Sequence, residues 1–171
     1  PKITSDERSR IYAYIPLFLA AVIFWAIQEQ GTYVLSKFAD QRTELSFLGF
    51  EFSPALFQSV NPLFIIALAP VFASIWIKLG DRQPTTLQKF SFGLMFAGLS
   101  FIVMMVPGLL FGTEGLVSPL WLVFSFLLVV IGELLLSPVG LSATTKLAPA
   151  AFSAQTMSLW FMTNATGQAV N

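Results

Sequence analysis

The sequence predicts an all-α membrane protein, and three observations carry that prediction. Of 171 residues, 56% are hydrophobic and 11% charged, against a charged share of roughly 25% in soluble domains. The mean hydropathy is +0.76. The apolar residues are gathered into runs that reach the ~18 residues a helix needs to cross a bilayer, with most charges between the runs. Backbone N–H and C=O groups have no water to bond in lipid, so each run closes its own hydrogen bonds as a helix.

Five spans follow in order, at 11–35, 56–77, 90–111, 119–140 and 152–171, in one bundle covering 1–171. Thr4 with Glu7, and Thr85 with Gln88, have the spacing of capping boxes and mark where the first and third helices begin. Between the first two spans, Ser36 to Ser53 is too short and too polar to cross. It reads as an exposed loop, with the alternation of LSFLGFEF suggesting a short hairpin. The second span carries Gln58, Asn61 and Pro62; Pro62 lacks an N–H, so a kink with free acceptors is expected there. Pro70, without a polar companion, is assigned to shape alone. The third span has no charge, and its Gly93, Ala97 and Gly98 suit close helix packing. The turn KLGDRQPTTLQK, 78–89, reads as an ordinary short cytoplasmic connection.

Charge sets the orientation. Lys2, Arg8, Arg10, Lys78, Arg82, Lys89 and Lys146 fall on one side of this arrangement, and only Lys37 and Arg42 on the other. The positive-inside rule therefore puts the N-terminus in the cytoplasm of a multi-pass protein of the cell membrane. Nine basic and nine acidic residues give zero net charge, so no nucleic-acid partner is indicated. Cysteine and histidine are both absent. That removes disulfides, thiol nucleophiles and the favoured transition-metal ligands, and neither a metal nor an organic cofactor is expected. The opening residues PKITSDERSR are polar and begin without methionine, which reads as a chain starting inside a longer polypeptide with no cleaved signal peptide visible.

The informative residues are the polar groups inside the runs. Glu133 is the only charge in PLWLVFSFLLVVIGELLLSPVG, and an ionised carboxylate at the bilayer centre costs about 2.5 kcal/mol or more. At 1.5 Å per residue it lies about 21 Å along its span from the outside, somewhat cytoplasmic of the midplane. No lysine or arginine stands at matching depth, which favours a substrate or proton as its partner. Ser137 and Pro138 follow within a turn, so a hydroxyl and the unbonded carbonyl of Leu134 are expected near the carboxylate. In the first span Gln28, Glu29 and Gln30 are consecutive and point about 100° apart. The two glutamines read as structural hydrogen-bonding groups; Glu29, about 27 Å along its helix and in the outer half, reads as a gate or proton site. The fifth span places Thr156, Trp160, Asn164 and Gln168 four apart on one polar stripe that should face a wet cavity or another bundle.

These segments resemble a family. FWAIQEQG, FQSVNPLF, VIGELLLSPVGLSATTKLAP and FSAQTMSLWFMTNATGQA, in that order, are similar to the C-terminal half of bacterial proton-dependent oligopeptide transporters of the major facilitator superfamily. The resemblance implies a C-terminal helical bundle of such a transporter, with the five spans as helices seven to eleven. It implies proton coupling or gating at Glu29, binding of the peptide ammonium at Glu133 with Asn61 as a further contact, and a pocket wall at Trp160. Asn164 stands where a small residue or serine is expected. The E-x-x-E-R motif and the basic residues for the peptide carboxylate belong to an N-terminal bundle that this chain lacks.

The residues themselves assemble no nucleophile with a base, no phosphate-cradling glycine loop and no metal cluster, so an enzyme is not expected. The leading expectation is proton-coupled import of di- and tripeptides by alternating access, with protons as the coupling ion and the lipid bilayer and missing bundle as partners. Ser137 and Asn164 join Glu133, Asn61 and Trp160 as candidate substrate contacts. Two rivals remain: a proton symporter of another small solute, such as nitrate or a glycoside, and a non-transporting membrane subunit whose buried acids pair with a partner's arginines.

Overall fold

The computed structural model describes residues 4–44, 46–47, 50–51, 53–112 and 115–170. Lys2, Leu45, Leu48, Gly49, Phe52, Asn171 and the side chain of Gln58, which enter the expectations above, lie outside the described residues. Five helices dominate: α1 (Ser5–Arg42), α2 (Val60–Leu79), α3 (Thr86–Phe111), α4 (Leu120–Leu147) and α5 (Ser153–Ala169). Four of them are long and apolar enough to cross a membrane. The fifth, at 17 residues, is shorter than the expected span. Strands β1 (Ser46–Phe47) and β2 (Phe50–Glu51) pair antiparallel, Ser46 opposite Glu51 and Phe47 opposite Phe50, as the alternation after α1 predicts.

Both capping boxes form. The Glu7 carboxylate accepts from the Thr4 N–H at 2.9 Å while the Thr4 hydroxyl accepts from the Glu7 N–H at 3.3 Å. Thr85 and Gln88 repeat the exchange at 2.9 and 3.3 Å. Helices α1 and α3 therefore start several residues before their apolar runs, because the cap, and not hydropathy, satisfies the first free N–H groups. Glu7 also accepts from the Ala150 N–H at 3.3 Å, which ties the start of α1 to the turn between α4 and α5.

Three expectations are corrected. Residues 36–42, expected in a loop, continue α1, because Ala39 extends the stripe of Leu35 and packs with Leu122 and Phe126 in the outer core. The kink at Pro62 is replaced by a change of helix type: a 3₁₀ turn, Pro54–Ser59, leads into α2, and Pro62 sits in the first turn of α2, where its missing N–H is not needed. Gly98, expected in a helix contact, has open space where a Cβ would be.

Gly93 and Ala97 do pack as expected. A Cβ on Gly132 would lie 2.7 Å from the Gly93 carbonyl oxygen, and one on Gly93 would lie 3.0 Å from that of Gly132, so α3 and α4 meet backbone to backbone. The inner core gathers Leu17, Phe24, Phe90, Ala97, Leu136 and Trp160 around this crossing. The hydroxyl of Thr144 donates to the Gly140 carbonyl at 2.8 Å and lies 3.2 Å from that of Tyr14, both side chains buried between α1 and α4. Burial is uneven: α4 is the most enclosed helix, whereas α2 has no buried residue.

Candidate functional site

The buried positions of α1, Tyr14, Leu17, Ala21, Phe24, Gly31, Leu35 and Ala39, advance by three and four. Gln28 occupies the step between Phe24 and Gly31 on that inward stripe. On the facing helix, the contact of Gly132 with Gly93 fixes the roll of α4, and Glu133, about 100° further round, is turned toward α1. The two side chains meet: Gln28 Nε2 donates to Glu133 Oε2 at 3.1 Å. Among the described residues no lysine or arginine reaches Glu133; a neutral amide is its polar partner. The carboxylate accepts only, so it draws the amino end of the Gln28 amide and sends Oε1 the other way.

That oxygen is buried without a hydrogen-bond partner, and so is Asn61 Oδ1. Gln28 and Asn61 line the same small cavity, with Gly31, Thr32, Leu35, Phe126 and Val129. Gln28 thus bonds the Glu133 carboxylate with one end of its amide and turns the other toward a cavity that holds two unpaired carbonyl oxygens, its own and that of Asn61. Unsatisfied buried acceptors cost about 1–3 kcal/mol each. Each of these oxygens can accept a hydrogen bond from an N–H or O–H donor.

Glu29 points away from this cluster. Gln168 Nε2 on α5 donates to Glu29 Oε1 at 2.9 Å and to Asn164 Oδ1 at 3.0 Å. The approach depends on Gly167, where a Cβ would lie 2.7 Å from Trp25 Cβ and 2.8 Å from the Ala26 backbone nitrogen. Glu29, Gln30, Tyr33 and Gln168 line an open polar cleft.

The expected residues therefore fall into three places. Glu133 bonds Gln28, which shares a cavity with Asn61. Glu29 and Asn164 are joined through Gln168. Ser137 and Trp160 stand apart: Ser137 is half-buried and makes no hydrogen bond to Glu133. Trp160 is 5% exposed and packs in the inner core edge-to-face with Phe90, centroids 6.4 Å apart, its ring lying where a Cβ on Gly140 would be. On the stripe expected to face a wet cavity or another bundle, Trp160 turns inward, because Gly140 opens a slot on α4 that a large ring fills. Gln28 is the site residue that a structural reading undervalues, and its place on the inward stripe of α1 was the available signal.

The model of the POT family, PTR2, matches residues 2–171. The chain is 64% identical over 170 residues to the uncharacterized transporter YclF of Bacillus subtilis, covering 99% of this chain and 34% of the relative. It is 52% identical over 174 residues to the di-/tripeptide transporter of Lactococcus lactis subsp. cremoris, covering 99% and 35%. Among solved structures, a mutant of the peptide transporter POT in complex with alafosfalin superposes with a TM-score of 0.93 at 67% identity, covering 99% of this chain and 35% of that one. A POT family transporter in complex with a thioalcohol-conjugated peptide gives 0.90 at 49% identity, covering 98% and 35%. The chain spans about a third of the length of these relatives.

Proposed function

The chain belongs to the POT family, and from that premise we propose that the full-length transporter carrying this segment imports di- and tripeptides together with protons by alternating access. The observation that carries the proposal is the Glu133 carboxyl group, bonded to Gln28 beside a cavity with two unpaired carbonyl oxygens and, among the described residues, without a lysine or arginine partner. A peptide ammonium entering it exchanges water for charge-assisted hydrogen bonds, each worth about 1.5–3 kcal/mol, or roughly 10- to 150-fold in affinity.

Glu29 is the proton-exchanging group in this reading. When it takes a proton it no longer holds a cation across the outer gate, and the bundles separate there. Ser137 and Asn164 extend the substrate-facing surface beyond the ammonium end, and Trp160 sets its wall by seating α5 on Gly140. The unburied α2 is the face covered by the N-terminal bundle, and the N-terminus of the segment is cytoplasmic. Relatives named as di-/tripeptide transporters support the substrate class.

The test is Glu133→Gln in the full-length protein, reconstituted in vesicles. Dipeptide counterflow and uptake should both fall by at least about tenfold while the protein stays folded. Wild-type counterflow in this variant would refute the role given to Glu133.

A further inference from the structure

We infer that Gln168 is a positioning residue for Glu29, holding one carboxylate oxygen so that the other is the one presented to the polar cleft. The inference rests on the reading of Glu29 as the proton-exchanging group and adds the residue that aims it.

The geometry is specific. The terminal nitrogen of Gln168 has two N–H groups and both are used, on Glu29 Oε1 at 2.9 Å and on Asn164 Oδ1 at 3.0 Å. Asn164 stands one helical turn before Gln168, the i, i+4 spacing at which side chains on one helix meet, so it orients an amide that is otherwise exposed. The reach to α1 is set by backbone: Gly167, next to Gln168, sits against Trp25 and Ala26, one turn before Glu29, at a distance that excludes even a Cβ. Two anchors, one within α5 and one between α5 and α1, thus converge on one amide.

An N–H donor on one oxygen is compatible with both states of a carboxyl group. The anion accepts through that oxygen. The neutral acid still accepts there through its carbonyl oxygen while its proton sits on the other. Gln168 therefore keeps Oε1 occupied in either state and leaves Oε2 as the oxygen that gains and loses the proton. Tyr33 is the other titratable group of the cleft, which Gln30 completes. Helix α5 brings no charged residue to it, and among the described residues no lysine or arginine contacts Glu29. The donor on α5 is thus neutral, and it biases the carboxyl group without locking it as a fixed cation would.

Removing a donor that favours the anion makes the proton bind more tightly, so the response must move to higher pH. The test uses the full-length transporter in vesicles, with proton-driven dipeptide uptake followed across the acid-to-neutral range and counterflow used to normalise for folded protein. Gln168→Leu should move the midpoint of uptake alkaline, since the donor bonds the anion more strongly than the neutral acid. Gln168→Glu, which sets a second carboxylate against the first, should move it further. A wild-type midpoint in Gln168→Leu overturns the inference. If that variant fails to fold, the near-isosteric Gln168→Glu decides on the same criterion, and failure of both to fold also overturns it, since the contact would then be structural. Should Glu29→Gln leave proton-driven accumulation intact, the reading of Glu29 itself fails. If Glu29→Gln uncouples and Gln168→Leu is silent, only the role of Gln168 does.

Discussion

Lys89 and Glu133 are both ionisable side chains withdrawn from solvent in an apolar chain, and they are partnered in opposite ways. Lys89, 8% exposed at the start of α3, has its ammonium 3.9 Å from the centre of the Trp76 ring and donates to Gln83 Oε1 at 2.8 Å. Gln83 in turn donates to the Trp76 carbonyl at 2.8 Å. All three lie at the junction of α2 and α3, so the cage is local, and it answers the cation with a π-face and an acceptor. Glu133 meets one neutral amide from a distant part of the chain, and that amide's oxygen and the one of Asn61 find no hydrogen-bond partner among the described residues. A closed cage is architecture, whereas the proposed role of Glu133 gives an acid without such a cage a visitor carrying positive charge.

The strongest way to break this contrast is to give the acid what the lysine has, a permanent partner. Gln28→Lys places a fixed cation within reach of Glu133 and should close the site to peptide ammonium, lowering counterflow by at least about tenfold while thermal stability is kept. Unchanged counterflow would show that Glu133 is not the ammonium site. The smaller effect sharpens the other side. Lys89→Met keeps the apolar stem over Trp76 and removes the charge; it should cost about 1 kcal/mol of stability, read as a lower melting temperature, with the pH profile of uptake unmoved. A shifted pH profile would mean that the turn takes part in coupling.

Much of this was legible in the sequence where the cause is local. Thr4 and Thr85 announce α1 and α3 because a capping box is decided within four residues. Glu133 stands out because lipid tolerates few carboxylates. Features decided between helices were harder. The extension of α1 through Arg42 rests on Ala39 meeting Leu122 and Phe126. The burial of Trp160 rests on a slot at Gly140 in another helix. Gln28 could have been identified from one helix alone, since it interrupts an otherwise apolar inward stripe. Glutamine beside a glutamate on a neighbouring helix, however, is a pairing that spacing within α1 does not reveal. Gly98 shows the converse: a small residue permits close packing, but only an opposing helix supplies it.

The central claim is that Glu133 and the acceptors around it recognise a positively charged amine. Competition by one dipeptide with a free amino terminus and by the same dipeptide acetylated there, against a labelled peptide in the full-length transporter, tests this most directly. The account predicts that acetylation weakens competition by at least about tenfold, since it removes both the charge and two of the three donors, and that Glu133→Gln erases most of this difference. Equal competition by the two peptides in the wild-type protein would contradict it.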